Sequence, residues 1–148
     1  MLQQKIDQDI KAAMLAKNNA SLRGLRAIKA ALLIAKTEKG ASDILTDEAE
    51  LRVLQKLVKQ RKESAEIYQT QNRPDLFQIE MEELKVIEAY LPKQMDREEI
   101  IIYIKDAITR SGASTMKDMG KVMGLVNKEL AGKADGKTIS EVVKELLG

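Results

Sequence analysis

Lysines and glycines alternate in the stretch from residue 112 to residue 137, which reads GASTMKDMGKVMGLVNKELAGKADGK. The stretch holds five of the chain's eight glycines, and five lysines against three acidic residues. Lysine ammonium groups bind phosphates, and glycines let a bound molecule approach the protein backbone closely. The sequence therefore predicts an RNA-binding surface made of Lys117, Gly120, Lys121, Gly124, Lys128, Lys133 and Lys137.

The same glycines have an alternative interpretation as packing residues. Gly120 and Gly124 stand one helical turn apart, a spacing that also suits close approach of a neighbouring helix. Each glycine in a helix costs about 1 kcal/mol relative to alanine, so the pair is expected to have a use. The segment Gly132–Gly136 lacks the spacing of a phosphate-binding loop, and Asp135 is expected to cap the last helix.

Catalytic groups are scarce, because the chain has no histidine and no cysteine. Glu80 and Glu83 interrupt one apolar helical arc, and Arg61 interrupts another. Two adjacent carboxylates can serve acid–base chemistry or bind a metal, but an opposed arginine favours a structural ion pair. We therefore predict that Arg61 pairs with Glu83 or Glu80, and we expect no catalytic residue, no metal and no cofactor.

Apolar residues recur at helical spacing along the whole chain, which predicts an all-α protein. The expected helices cover about residues 1–18, 20–39, 46–70, 74–91, 97–110, 116–130 and 137–147, and Gly40 is expected to end the second. Pro92 marks the predicted boundary between two domains. Residues 1–91 would form a helical hairpin or bundle, and residues 92–148 a three-helix tail domain.

Composition limits the functions that the chain can serve. Its 148 residues carry a net charge of +2, so bulk charge will not drive nucleic-acid binding, and any such binding needs a local patch. One Phe, three Tyr and no Trp make a poor platform for stacking the bases of single strands. The absence of cysteine, of a long apolar run and of a signal peptide predicts a cytoplasmic protein with no membrane contact.

Several motifs resemble the GatB/YqeY domain family, and the resemblance spans nearly the whole chain. The matching segments are Arg26 and Lys29, Arg61-Lys62, Arg73-Pro-Asp-Leu76, Tyr90-Leu-Pro92, Asp118-Met-Gly-Lys-Val-Met-Gly124 and Gly132-Lys-Ala-Asp-Gly136. In the B subunit of tRNA-dependent amidotransferases, the similar tail domain helps to recognise tRNA. The kinase-like catalytic portion of that subunit has no counterpart in this sequence.

The resemblance implies a non-catalytic module that binds tRNA or serves as an adaptor. Its expected partner is tRNA or an enzyme that modifies or charges tRNA. Two alternatives remain open: a protein–protein interaction module that does not touch RNA, and an accessory of a carbon–nitrogen ligase that uses glutamine as amido donor.

Overall fold

The structure of the chain is a computed structural model that describes residues 2–38 and 45–148, and every regular element in these ranges is helical. The helices are α1 (Leu2–Leu15), α2 (Asn19–Glu38), α3 (Asp47–Thr70), α4 (Pro74–Glu88), α5 (Arg97–Ser111), α6 (Met119–Glu129) and α7 (Gly136–Leu147). A 3-10 turn at Met116–Asp118 precedes α6. The predicted all-α fold is confirmed, whereas Gly40 lies outside the described residues.

Two compact units make up the structure, Met1–Leu91 and Pro92–Gly148. The first contains α1 to α4, and the second contains α5 to α7. Each has its own apolar core. Independent folding of the two stretches as domains stays a prediction.

The first two helices form a hairpin around a left-handed residue. Lys17 adopts a positive φ of 56°, and the Asn18 side chain accepts a hydrogen bond from the Ser21 amide, 3.1 Å away. Ile6 and Ala13 are the buried residues of α1, whereas Met14 is 55% exposed. Apolar residues recur at steps of four along α1 as far as Met14, but Met14 lies outside the buried face because positions four apart drift by about 40° per step around a helix.

Close packing between α2 and α4 occurs at Gly24. A Cβ atom added there would lie 2.7 Å from both Cβ and Cγ1 of Val86, so no larger residue fits without movement. Arg23, one residue earlier, donates a hydrogen bond from Nη2 to Glu82 Oε2 on α4 at 2.7 Å. The glycine that lets two helices approach each other therefore lies on α2, where the sequence pattern did not indicate it.

The third and fourth helices form an antiparallel hairpin in which Arg61 lies beside two carboxylates. Its Nε atom is 3.3 Å from Glu83 Oε2 and 3.7 Å from Glu80 Oε2, which confirms the predicted pairing. The three side chains are only 15 to 21% exposed, and burial raises the pKa of Glu80 above its ordinary value. The apolar spacing of α4 includes Ile79, but this residue is 40% exposed.

The second unit is a three-helix assembly whose ends are fixed by polar caps. Asp96 caps α5 through the Glu99 amide at 2.8 Å, and Gly112 ends that helix with a φ of 73°. Asp135 caps α7 as predicted, accepting from the Lys137 amide at 3.4 Å. The core that the three helices share consists of Ile100, Ile104, Ala107, Val122, Val126, Leu130, Ala134, Ile139, Val142, Val143 and Leu147.

Candidate nucleic-acid interface

The orientation of α6 is set by two valines. Val122 and Val126 are 0% exposed, and their burial against α5 and α7 leaves the opposite side of the helix to solvent. At about 100° per residue, the exposed residues of α6 fall within an arc of roughly 120° centred opposite these valines. Core packing therefore decides which side chains α6 presents to solvent.

That solvent-facing arc contains most of the predicted RNA-binding residues. Lys117, in the preceding 3-10 turn, lies about one helical turn before the first of them. We define the lysine face as these six exposed residues: Lys117, Gly120, Lys121, Gly124, Asn127 and Lys128. Asn127 was not among the predicted residues, although its position at helical spacing from Gly120 and Gly124 could have indicated it.

No acidic residue lies on the lysine face, because the three acidic residues between positions 112 and 137 make contacts away from it. Asp118 accepts hydrogen bonds from the amides of Ser114 and Thr115, at 3.0 and 3.3 Å, and these bonds hold its pKa below the ordinary value. Glu129 pairs with Arg110 of α5 at 3.2 Å, and Asp135 caps α7. Apart from an electrostatic interaction of Asp118 with Lys121, the contacts of these three carboxylates lie away from the lysine face.

The lysines of this face form no ion pair within residues 2–38 and 45–148. Lys121 nevertheless has a structural contact, since its Nζ donates to the carbonyl oxygen of Ser111 at 2.9 Å. This bond satisfies a carbonyl in the last turn of α5, where a cation also meets the negative end of the helix dipole. Sequence spacing alone gave no sign of this second role.

The glycines of the lysine face do not pack against any described helix. A Cβ atom added at Gly120 or Gly124 would meet nothing within 4 Å, apart from its own helix and chain neighbours. Among the described residues, therefore, no neighbouring helix packs closely against these two glycines, as the alternative interpretation requires. Gly120 and Gly124 therefore leave open space at two positions, one turn apart, on the solvent side of α6.

Lys133 and Lys137 are exposed but lie outside the lysine face. Lys133 belongs to the turn before α7, where its carbonyl accepts from the Met95 amide at 2.9 Å and the neighbouring Gly132 has a φ of 76°. Lys137 lies in the first turn of α7, four residues before Glu141. The structure thus groups five of the seven predicted residues on one face and leaves two on other elements.

Chemically, the lysine face offers ammonium groups and two exposed glycine positions that have no side chain. Such a surface can attract phosphates, and it has no group suited to proton transfer at neutral pH.

Over the described parts of the chain, no three acidic side chains cluster closely enough to hold a metal ion. None of the helices there is long and apolar enough to cross a membrane.

These features define a class of protein: an all-helical module with an exposed lysine face. The model of the family described as Yqey-like protein matches residues 3–147, and the chain therefore belongs to that family. The match confirms the resemblance to the GatB/YqeY domain family.

Curated relatives agree with this assignment, and they carry the name Altered inheritance of mitochondria protein 41, mitochondrial. The protein from Pyrenophora tritici-repentis is 31% identical over 147 residues, which cover 97% of this chain and 80% of the relative. Its counterpart in Clavispora lusitaniae is 36% identical, with 83% and 72% covered. The protein from Vanderwaltozyma polyspora is 33% identical, with 77% and 64% covered.

The relatives' names contradict the expected cytoplasmic location, because all three describe mitochondrial proteins. The expectation was wrong for a physical reason. An absence of cysteine indicates a reducing environment, but it does not distinguish one reducing compartment from another.

Proposed function

We propose that this chain is a non-catalytic RNA-binding module that holds the phosphate backbone of tRNA on the lysine face of α6. The observation that carries the proposal is the charge of that face, where three exposed lysines stand without an acidic residue among them. In a chain with a net charge of only +2, such a local excess is where phosphate contacts would form. An enzyme that modifies or charges tRNA is the protein partner that the module would serve.

Lysine contacts to phosphates have a measurable signature in salt. Each contact releases counterions, so the logarithm of affinity falls with the logarithm of salt by about 0.7 to 0.9 per contact. Three lysines would therefore give a total slope of roughly 2 to 3. The contacts carry no base information, so different tRNAs should bind with similar affinity.

The test compares two pairs of substitutions that remove the same charge. Lys117→Gln with Lys128→Gln removes two lysines of the proposed site, and Lys121 is spared because it also caps α5. Lys56→Gln with Lys59→Gln is the matched control on α3, where these exposed lysines share a helix face with Glu63. Folded tRNA is titrated into each full-length protein at two salt concentrations.

We expect the α6 pair to reduce the slope by about 1.4 to 1.8 and to weaken binding, while the α3 pair leaves both nearly unchanged. Equal losses for the two pairs would indicate generic attraction and no site. Absence of tRNA binding by the unaltered protein would reject the proposal outright.

The second candidate is a protein-interaction module, and one feature of the first unit favours it. An open groove of about 410 Å³ lies between α1, α2 and α4, with an apolar floor that includes Ala13, Leu25 and Val86. At its polar edge, the Tyr90 hydroxyl donates to Asp9. A helix of another protein would suit such a groove, and protein capture without RNA binding would support this candidate instead.

A further inference from the structure

The lysine face has an unusual centre, in which two positions between the lysines carry no side chain. Gly120 and Gly124 are exposed, stand one turn apart and have only open space where a side chain would be. Glycine in an exposed helix lowers helix stability relative to alanine, and here no packing contact offsets that loss. The two positions therefore leave the α6 backbone accessible without a benefit to the fold.

A second feature is the lack of aromatic side chains on this face. Tyr103 is the sole aromatic residue in the sequence from 92 to 148, and it belongs to α5, where the guanidinium carbon of Arg110 lies 5.8 Å from its ring centre. Proteins that hold single-stranded RNA generally stack its bases on aromatic rings. The lysine face has phosphate-binding groups but nothing on which a base could stack.

From these two features we propose that the lysine face takes the sugar–phosphate backbone of a double-stranded RNA stem in preference to a single strand. The proposal rests on the proposed function and names the part of a folded RNA that the site would contact. A stem has its bases paired and presents a stiff backbone, so it needs no stacking platform.

The geometry of α6 supports a stiff ligand. From Lys117 to Lys128 the face extends about 16 Å along the helix axis, at 1.5 Å per residue. The glycines let a backbone lie against the helix at the middle of this face, while the lysines at its ends reach phosphates on either side. An alanine at either glycine would hold the RNA backbone away by the width of a methyl group.

The experiment uses the full-length protein, an RNA hairpin whose stem is longer than α6, and an unpaired RNA of the same length and composition. We expect the unaltered protein to bind the stem several-fold more tightly than the unpaired RNA. The variant Gly120→Ala with Gly124→Ala keeps every lysine, yet it should bind the stem several-fold more weakly. Its melting temperature should rise by about 2 to 8 °C, because alanine favours the helix.

A matched control is Gly136→Ala, since Gly136 is also exposed with open space around it but begins α7 and lies off the lysine face. This variant should bind the stem as the unaltered protein does. Equal affinity for stem and unpaired RNA, or unchanged stem binding by the double alanine variant, would overturn the inference while tRNA binding through the lysines could still stand. If the unaltered protein bound neither tRNA nor the stem, both this inference and the proposed function would be overturned.

Discussion

Three cations in the first unit and the lysines on α6 are placed in opposite surroundings. In the first unit, Arg23 contacts Glu82 at 2.7 Å, Lys29 contacts Asp7 at 2.8 Å, and Arg61 lies between two glutamates. Each of these pairs joins two helices. The lysines of α6 have no such partner in the described part of the chain, although residues 1–91 and residues 92–148 each carry a net charge of only +1.

The difference shows that the placement of acids, more than the number of lysines, distinguishes a structural cation from a binding one. A cation facing a carboxylate on the next helix helps to hold the helices together, and its field is largely cancelled at a distance. A lysine whose neighbouring acids cap helices or pair elsewhere keeps its field available to a ligand. Substitutions can test this contrast, and the largest effect is expected where a cation is most enclosed.

Removing the enclosed cation of the first unit should cost the most stability. Arg61→Ala leaves Glu80 and Glu83 without their partner, and we expect the free energy of unfolding to fall by about 2 to 4 kcal/mol. The value lies below that of a fully buried pair because the side chains are 15 to 21% exposed. Urea unfolding followed by circular dichroism measures it.

Lys62→Ala is the control for this prediction. Lys62 is the next residue on α3, and its Nζ lies 3.9 Å from Glu88 with both side chains largely in water. Such exposed pairs contribute at most about 1 kcal/mol. Equal losses for Lys62→Ala and Arg61→Ala would contradict the distinction between an enclosed pair and an exposed one.

The Arg61 pairing could be predicted from sequence because three charges interrupted apolar arcs on helices joined by a short turn. Helix type and the Asp135 cap were predictable for a similar reason, since capping residues such as Thr46, Asp96 and Asp135 act through local chemistry. Thr46, for example, accepts from the Ala49 amide at 3.1 Å. Local rules work where the partner is a few residues away.

Contacts between helices were harder to predict, as the glycines show. The pattern at Gly120 and Gly124 suggested close packing, yet the packed glycine is Gly24, opposite Val86. Likewise Ile79 matched the apolar arc of α4 but lies near the end of the hairpin, where it is 40% exposed. Spacing fixes which side of a helix is apolar, but the neighbouring helix decides which positions along that side are covered.

Alanine at the two kinds of glycine should change stability in opposite directions. Gly24→Ala places a methyl group 2.7 Å from Val86, and overpacking of this kind typically costs about 1 to 3 kcal/mol. Gly124→Ala adds a methyl group to open space and should stabilise the protein by up to about 1 kcal/mol. Thermal melts of both variants show whether each substitution raises or lowers the melting temperature.

A double substitution identifies the cause at the packed glycine. Val86→Ala removes two methyl groups beside the position of the new Cβ, so it should relieve part of the loss caused by Gly24→Ala. Strict additivity of the two losses would show that the helices shift apart to accept the methyl group. The approach of α2 and α4 would then not depend on glycine.

The smallest effects should come from two carboxylates whose pKa values move in opposite directions. Burial raises the pKa of Glu80 above its ordinary value near 4.5, whereas hydrogen bonds from the Ser114 and Thr115 amides lower the pKa of Asp118 below its ordinary value near 3.8. The folded state therefore binds the Glu80 proton more tightly than the unfolded state does, and the Asp118 proton less tightly. Charged Glu80 destabilises the fold and charged Asp118 stabilises it.

Glu80→Gln and Asp118→Asn keep the shapes of these side chains and remove their charges. At neutral pH the glutamine variant should be more stable than the unaltered protein, and this advantage should vanish as the pH falls through the raised pKa of Glu80 to about 4.5. The asparagine variant should be less stable, and its deficit should shrink only as the pH falls from about 3.8 through the lowered pKa of Asp118. Urea midpoints across this pH range measure both differences in stability. If both variants were less stable than the unaltered protein at neutral pH, Arg61 would compensate the burial of Glu80 in full. In that case the charge of Glu80 would not destabilise the first unit. The two regions would then differ only in that the lysines of α6 lack a carboxylate partner.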